Sequence, residues 1–305
     1  MAYGLSVRNR GGDAVFGTSH LSLNFYGSGV VIPQKGPTGG TLINYPGALS
    51  MANTFIFARP EPNFANADLG ETQFSIFQEY SWPMGIRMEA GGFYITIPQS
   101  LATVSSSDIN YKLANTGDSY TNSNSGKGKV YYEMWGPGNT EDETGPGLKT
   151  KTAAGDIIYS SNRKQFKPES IQVGRPRVNV NTSSGAVTYL NSMKFYMPNR
   201  TNEAQQNYLC LLNGCAHTTG FIKAGVFGAT NNFETPTTSA ALYQTFATWY
   251  YFDQDDPFGR QPFVEYRAMP AYTKNTSNQT IYQHAMLRKA EELGVPTVGM
   301  IGVSR

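Results

Sequence analysis

The sequence predicts an all-β protein, mainly antiparallel, built as a β-sandwich or jelly-roll-like fold with long loops and one short C-terminal helix. Two observations carry that expectation. Short runs alternate apolar with polar residues between Gly, Pro, Asn and Ser clusters, as in Leu21-Ser22-Leu23-Asn24-Phe25, and such alternation marks a half-buried strand. Aromatic residues make up 13% of the chain, with 19 Tyr and 17 Phe, and these types favour strands and supply rigid contact area.

The elements follow in order. Tyr3 to Val7 and Ala14 to Phe16 read as a hairpin, because Arg10-Gly11-Gly12-Asp13 between them tolerates positive φ. Leu21, Leu23 and Phe25, followed by Val30 to Ile32 beyond Gly27 and Gly29, read as a strand that bends or bulges into the next. The Pro/Gly tract from Pro33 to Gly40 is a break, after which Phe55 to Phe57, the stretch holding Phe74, Ile76 and Tyr80, and Phe93 to Ile97 give further short strands.

From Thr116 to Gly147 the chain turns Asn/Ser/Gly-rich around one aromatic strand, Val130 to Trp135. That pattern reads as two long exposed loops flanking a strand. Strands resume at Ile157 to Tyr159, Ser170 to Val173, Arg177 to Val180 and Ala186 to Met197, with Ser183-Ser184-Gly185 as the hairpin turn. The densest aromatic run is Tyr243 to Phe252, ending at the Asp253 to Gly259 turn, and Ile281 to Leu293 carries a modest helical periodicity. The compositional change divides the chain into an N-terminal β domain, 1–115, and a C-terminal β-rich domain, 116–305. A chain of 305 residues can bury such a core without disulfides or metals.

Charge narrows the function classes. Charged residues are 15% of the chain and the net charge is +2, well below the roughly 25% charged content of ordinary soluble domains. The surface is expected to be Asn, Ser, Thr, Gln and Gly, which suits an assembled particle. The pairs Arg163 with Lys164 and Arg175 with Arg177 are too small to neutralise many phosphates, so nucleic acid is not an expected partner. No apolar run approaches the roughly 18 residues of a membrane span, and Met1 to Arg10 lacks a leader pattern, so neither anchor nor targeting signal is expected. Cys210 and Cys215 are expected as buried free thiols, a small-loop disulfide being the alternative.

The chemistry-bearing motifs are sparse, and no cofactor or metal is expected. His20, His217 and His284 stand in no metal-ligand spacing. Gly27-Ser28-Gly29 has the wrong spacing for a nucleophile elbow. Ser125-Gly126-Lys127-Gly128-Lys129 lacks the earlier Gly of a phosphate loop and has Gly128 where Ser or Thr would hold magnesium. Asp253, Asp255 and Asp256 read as an Asp-rich turn, since the Gly and terminal Glu of a calcium loop do not follow. Glu141, Asp142 and Glu143 read as a solvated acidic loop, with no hydrophobic support to raise a carboxyl pKa.

The residues singled out as candidate partner or receptor contacts are Trp249, Tyr250, Tyr251 and Trp135. Alternation puts Trp249 and Tyr251 on one strand face and Tyr250 on the other. The competing reading makes the same aromatics core and cross-strand residues.

The first thirty or so residues resemble the start of a family of small tail proteins of tailed bacteriophages. The resemblance rests on Met1-Ala2-Tyr3-Gly4-Leu5-Ser6-Val7 through Asn9, Gly12 and Val15-Phe16, then Leu21 to Tyr26 and Gly27 to Val30. Ala90-Gly91-Gly92-Phe93-Tyr94-Ile95 is similar to a later strand of that family. The match covers about the first third of the chain. It implies residence in the virion, near the tail tip or its fibres, with 1–115 attaching to the particle and other tail proteins as partners; it carries no catalytic motif.

The leading expectation is therefore a non-enzymatic structural component of the tail. A receptor-binding protein reading a surface glycan or pilus, a head decoration protein and a polysaccharide depolymerase are the rivals. A homo-oligomer, a trimer by analogy with closed virion symmetry, is the expected assembly.

Overall fold

A computed structural model describes residues 6–8, 14–17, 23–31, 33–35, 41–47, 49–60, 79–80, 83–98, 130–137, 147–151, 157–180, 187–197, 207–215, 218–223, 238–251, 261–276 and 291–304. In chain order the strands are β1 (Ser6–Arg8), β2 (Ala14–Gly17), β3 (Asn24–Val31), β4 (Gln34–Lys35), β5 (Ile43–Asn44), β6 (Phe55–Pro60) and β7 (Glu79–Tyr80). They continue with β8 (Gly85–Glu89), β9 (Gly92–Ile97), β10 (Val130–Gly136), β11 (Lys149–Lys151), β12 (Ile157–Ser160), β13 (Phe166–Gly174), β14 (Arg177–Val180) and β15 (Val187–Asn191). The last are β16 (Met193–Tyr196), β17 (Tyr208–Leu211), β18 (Thr218–Lys223), β19 (Thr238–Tyr251), β20 (Phe263–Thr276), β21 (Glu291–Gly294) and β22 (Thr297–Ser304). Pairing is antiparallel except between β4 and β9, so the all-β, mainly antiparallel expectation holds.

The largest sheet has six strands in the order β13-β22-β17-β6-β10-β3. A second runs β16-β20-β19-β18, with β7 continuing along the β19 edge, and a third is β15-β14-β21. β8 and β5 both pair antiparallel with β9.

Period-2 alternation explains how these sheets meet. β10 turns Val130, Tyr132 and Met134 to one face, β20 turns Val264 and Tyr266, and all five join one apolar cluster with Trp249, Phe195 and Ile301. The six-stranded sheet and the β16-β20-β19-β18 sheet are thus the two leaves of a sandwich, with Phe93 and Ile95 of β9 in the same core. Strands β19 and β20 are 14 residues each, about 46 Å of extended chain, longer than one such core is wide. Their inner face therefore enters a second cluster, where Tyr243 and Ala268 pack with Val178, Val180 and Leu293 of the three-stranded sheet.

Several sequence expectations are met in register. β1 and β2 form the opening hairpin. Tyr26 is skipped between the pairs Met134↔Gly27 and Trp135↔Phe25, which makes it a bulge residue in the strand expected to bend. β14 and β15 pair as the expected hairpin.

Two expectations are corrected. No C-terminal helix is seen among the described residues, and its expected end, Glu291–Gly294, is the strand β21 on the free edge of β14. Residues 281–290 of the expected helix lie outside the described residues; at its end, burial of Leu293 against Val178 and Val180 favours the strand. The division at 115/116 does not separate two cores, because β3 and β6 lie in one sheet with β10, β17 and β22, and the same cluster holds Ile43 and Ile301. The loops expected at 116–129 and 138–146 and the turn at 253–259 lie outside the described residues.

Candidate functional site

The aromatic contact residues expected from the sequence are, for the most part, interior. Trp249 and Trp135 are fully buried and Tyr250 is 5% exposed. Every residue from Tyr243 to Tyr250 is buried, the polar Gln244, Thr245 and Thr248 among them, because β19 is an interior strand with β20 on one side and β18 and β7 along the other. Trp249 sits in the main core. Trp135 lies on the outer face of the six-stranded sheet in a smaller cluster with Phe57, Leu209 and Leu211. There it makes edge contacts with Phe25 at 5.4 Å and Phe166 at 5.7 Å between ring centroids. Tyr250 stacks on Phe263 at 4.4 Å. Tyr251 pairs through its backbone with Glu79, and its side chain lies outside the described residues. The expectation of a contact surface at Trp135, Trp249 and Tyr250 is therefore corrected: the competing reading, core and cross-strand packing, describes them.

The surface beside them is formed by residues the sequence reading passed over. Phe263 lies between Tyr250 and Tyr196, the latter 54% exposed at 5.7 Å between ring centroids. The Lys194 ammonium stands over the Phe263 ring at 4.9 Å. Register puts these side chains together, since Lys194 pairs with Glu265 and Tyr196 with Phe263. The result is a short aromatic strip with one cation on the outer face of the sandwich, suited to stacking against a flat partner group. Alternation along Met193–Tyr196 was a usable signal, because its burial runs buried, exposed, buried, exposed.

Among the described residues two carboxylates, those of Glu133 and Glu265, are buried, and each is saturated. Glu133 is 1% exposed; its Oε1 accepts from Tyr131 at 2.8 Å, from Ser304 at 2.9 Å and from the Lys164 ammonium, and its Oε2 accepts from the Trp135 indole at 2.9 Å. Glu265 is 3% exposed; it accepts from Ser192, from the Tyr250 hydroxyl at 3.0 Å and from Arg267 at 3.1 Å. Charges are retained inside only when so compensated.

Their neighbours in register fix where they point. Glu133 faces away from the core that Tyr132 and Met134 enter, and Glu265 faces away from the core that Val264 and Tyr266 enter. The two carboxylates thus lie on opposite outer faces with both leaves, stacked about 10 Å apart, between them. They do not form an acid–base pair across a cleft, which needs a separation of about 5–10 Å with a substrate between.

The six-stranded sheet ends in two edges, β3 and β13. The Gly-x-Gly step of β3 has a packing role: a Cβ on Gly29 would run into the Tyr132 ring, and one on Gly27 would sit 3.2 Å from the Met134 terminal methyl. β3 carries no charged residue and leaves Val30 51% exposed. In β13, Val173 is 82% and Ile171 54% exposed.

Cys210 and Cys215 are both free thiols, as expected, but only Cys210 is fully buried and Cys215 is partly exposed. They sit apart, Cys210 in the main core and Cys215 against the second cluster, and burial pushes both thiols up. Among the described residues no group of three or more His, Cys, Asp or Glu could hold a metal ion, and no helix is long and apolar enough to cross a membrane. His20, His217, His284, the 125–129 loop, Glu141 to Glu143 and Asp253 to Asp256 lie outside the described residues. Comparison with known proteins finds no matching family model, no matching curated protein and no matching solved structure.

Proposed function

We propose that the chain is a non-enzymatic structural component of a bacteriophage virion, a tail-tip or tail-fibre-associated protein that contacts other tail proteins and contributes to host attachment. The observation that carries this reading is the pair of strands ending the largest sheet, neither with a partner on its outer side among the described residues, in a chain poor in charge. β3 and β13 end the largest sheet, β3 without a charged residue and β13 with its apolar side chains in solvent. Free monomers blunt such edges because they template unwanted pairing, whereas a chain fixed in an assembly has them covered by neighbours. The resemblance of the first thirty or so residues to small tail proteins supports the tail over the head.

Gold labelling of intact particles with an antibody against the chain tests the proposal. Label at the distal tail is the expected result; label on the capsid, or a chain missing from purified particles, overturns it.

The strip of Tyr196, Phe263 and Lys194 favours a second reading, in which the chain is itself the receptor-binding protein. Aromatic faces with a nearby cation stack on sugar rings and acidic glycans. Tyr196→Ala should then lower adsorption to host cells while particles assemble normally; unchanged adsorption rejects this reading.

A further inference from the structure

β13 changes character along its length. Its first half is protected by Lys167, Pro168 and Glu169, with a register shift between Pro168 and Ser170 that makes Glu169 a bulge. Charge, proline and a bulge are the three usual ways of blunting an edge. The second half, Ser170-Ile171-Gln172-Val173-Gly174, has none of them, and its one described pairing is with β22.

The open half is self-complementary. Run antiparallel to itself with Gln172 on a two-fold axis, it puts Ile171 of one copy opposite Val173 of the other and Ser170 opposite Gly174. Glu169 then comes opposite Arg175 at both ends. Residues of like parity face one another in this register, so the outward-pointing N–H and C=O groups of one copy meet those of the other.

Apolar side chains continue the match. Val173 pairs with Val298 and Ile171 with Met300 inside one copy, all on the outer face where Met300 borders the Trp135 cluster. Pairing would join Val298, Val173, Ile171 and Met300 into a row across the two copies, and symmetry makes two such rows. The bulge at Glu169 ends the ladder before Lys167 would meet Arg177.

We propose that the Ser170–Gly174 edge of β13 pairs with the same edge of a second copy of this chain, forming an isologous two-fold dimer with a sheet continuous through both. The proposal stands on the edge geometry and does not depend on virion residence. It replaces the trimer expected from virion symmetry, because a two-fold edge is filled by one partner.

Sedimentation velocity on the full chain over a range of concentrations tests it, with near-ultraviolet circular dichroism reporting the fold of each variant. Wild type is expected as a dimer. Val173→Lys, at an 82% exposed position that the native fold tolerates, is expected as a monomer. Glu169→Arg and Arg175→Glu each place like charges at both ends and should weaken association by roughly tenfold. An equimolar mixture of those two variants restores opposite charges at both ends and should dimerise as wild type does. A monomeric wild type, a trimer or open-ended polymer, a Val173→Lys variant that still dimerises, or a mixture no tighter than its components would each overturn the proposal.

Discussion

The indole N–H of Trp135 donates to Glu133 Oε2 at 2.9 Å, and both side chains are buried on the same face of β10. The spacing of two residues sets this up, since alternate side chains of a strand stand side by side. Tyr131, two residues earlier, donates to the other oxygen. Lys164 and Ser304 then bring a turn and the last strand to the same carboxylate, so one acid ties together three distant parts of the chain.

Removing that acid leaves several donors without a partner. Glu133→Ala should destabilise the fold by about 3 kcal/mol, and Ser304→Ala, which removes one neutral donor, by about 1 kcal/mol. Urea unfolding curves measure both. An alanine at 133 that costs no more than the one at 304 would show that the network is not what holds these segments together.

Alkaline pH should loosen the main core. Burial pushes the Cys210 thiol and the Tyr266 hydroxyl well above their ordinary values of 9.0 and 10.0. Both groups stay protonated in the native state while the unfolded chain gives up its protons, so their contribution is complete below about pH 9 and declines as pH rises beyond it. The midpoint of urea unfolding should therefore be level from neutral pH to about pH 9 and then fall. Tyr266→Phe loses the bonds to the Leu211 and Met300 carbonyls, 2.7 and 3.2 Å long, and should be less stable at neutral pH but show a shallower alkaline decline.

The two thiols should be slow to react. Cys210 is fully buried, and burial holds both Cys210 and Cys215 in the unreactive protonated form. A thiol reagent added to native protein should label Cys210 at the rate of opening and the partly exposed Cys215 sooner, and both at once in denaturant. Rapid labelling of both in the native state would contradict the packing described.

Core and surface aromatics should separate cleanly in mutagenesis. Trp249→Ala empties a fully buried site and should cost about 3–5 kcal/mol. Tyr196→Ala, at a half-exposed site, should stay within about 0.5 kcal/mol of wild type. Thermal melts of the two variants decide between core and contact roles.

Glycines offer a paired test of sheet packing. A Cβ on Gly85 would collide with the Gln244 amide and the Phe246 ring, whereas one on Gly91 meets nothing within 4 Å. Gly85→Ala should cost about 1–3 kcal/mol and Gly91→Ala far less, read from the same unfolding curves.

Much of the fold was legible in the residues themselves. Alternation and turn residues located β10 and β14 to within a residue or two, and the step at Gly27 and Gly29 announced the bulge at Tyr26; the single strand expected from Ala186 to Met197 is instead two, β15 and β16, in different sheets. The rules involved are local: side chains alternate across a strand and glycine relieves crowding, whatever the rest of the chain does.

What the tertiary structure alone decided is which strands lie inside and which at an edge. The aromatic run of β19 reads as core and cross-strand packing or as a binding face, and only the layers around it make Trp249 core. Ser170 to Val173 reads as an ordinary strand, yet its place at the end of the sheet exposes it and opens it to pairing. The same holds for Leu293, which lies at the end of a weak helical pattern yet sits in a strand paired with β14. The physical reason is that hydrogen bonding across a sheet and burial between sheets join residues far apart in sequence, so exposure and strand neighbours are properties of the assembled layers and not of any segment.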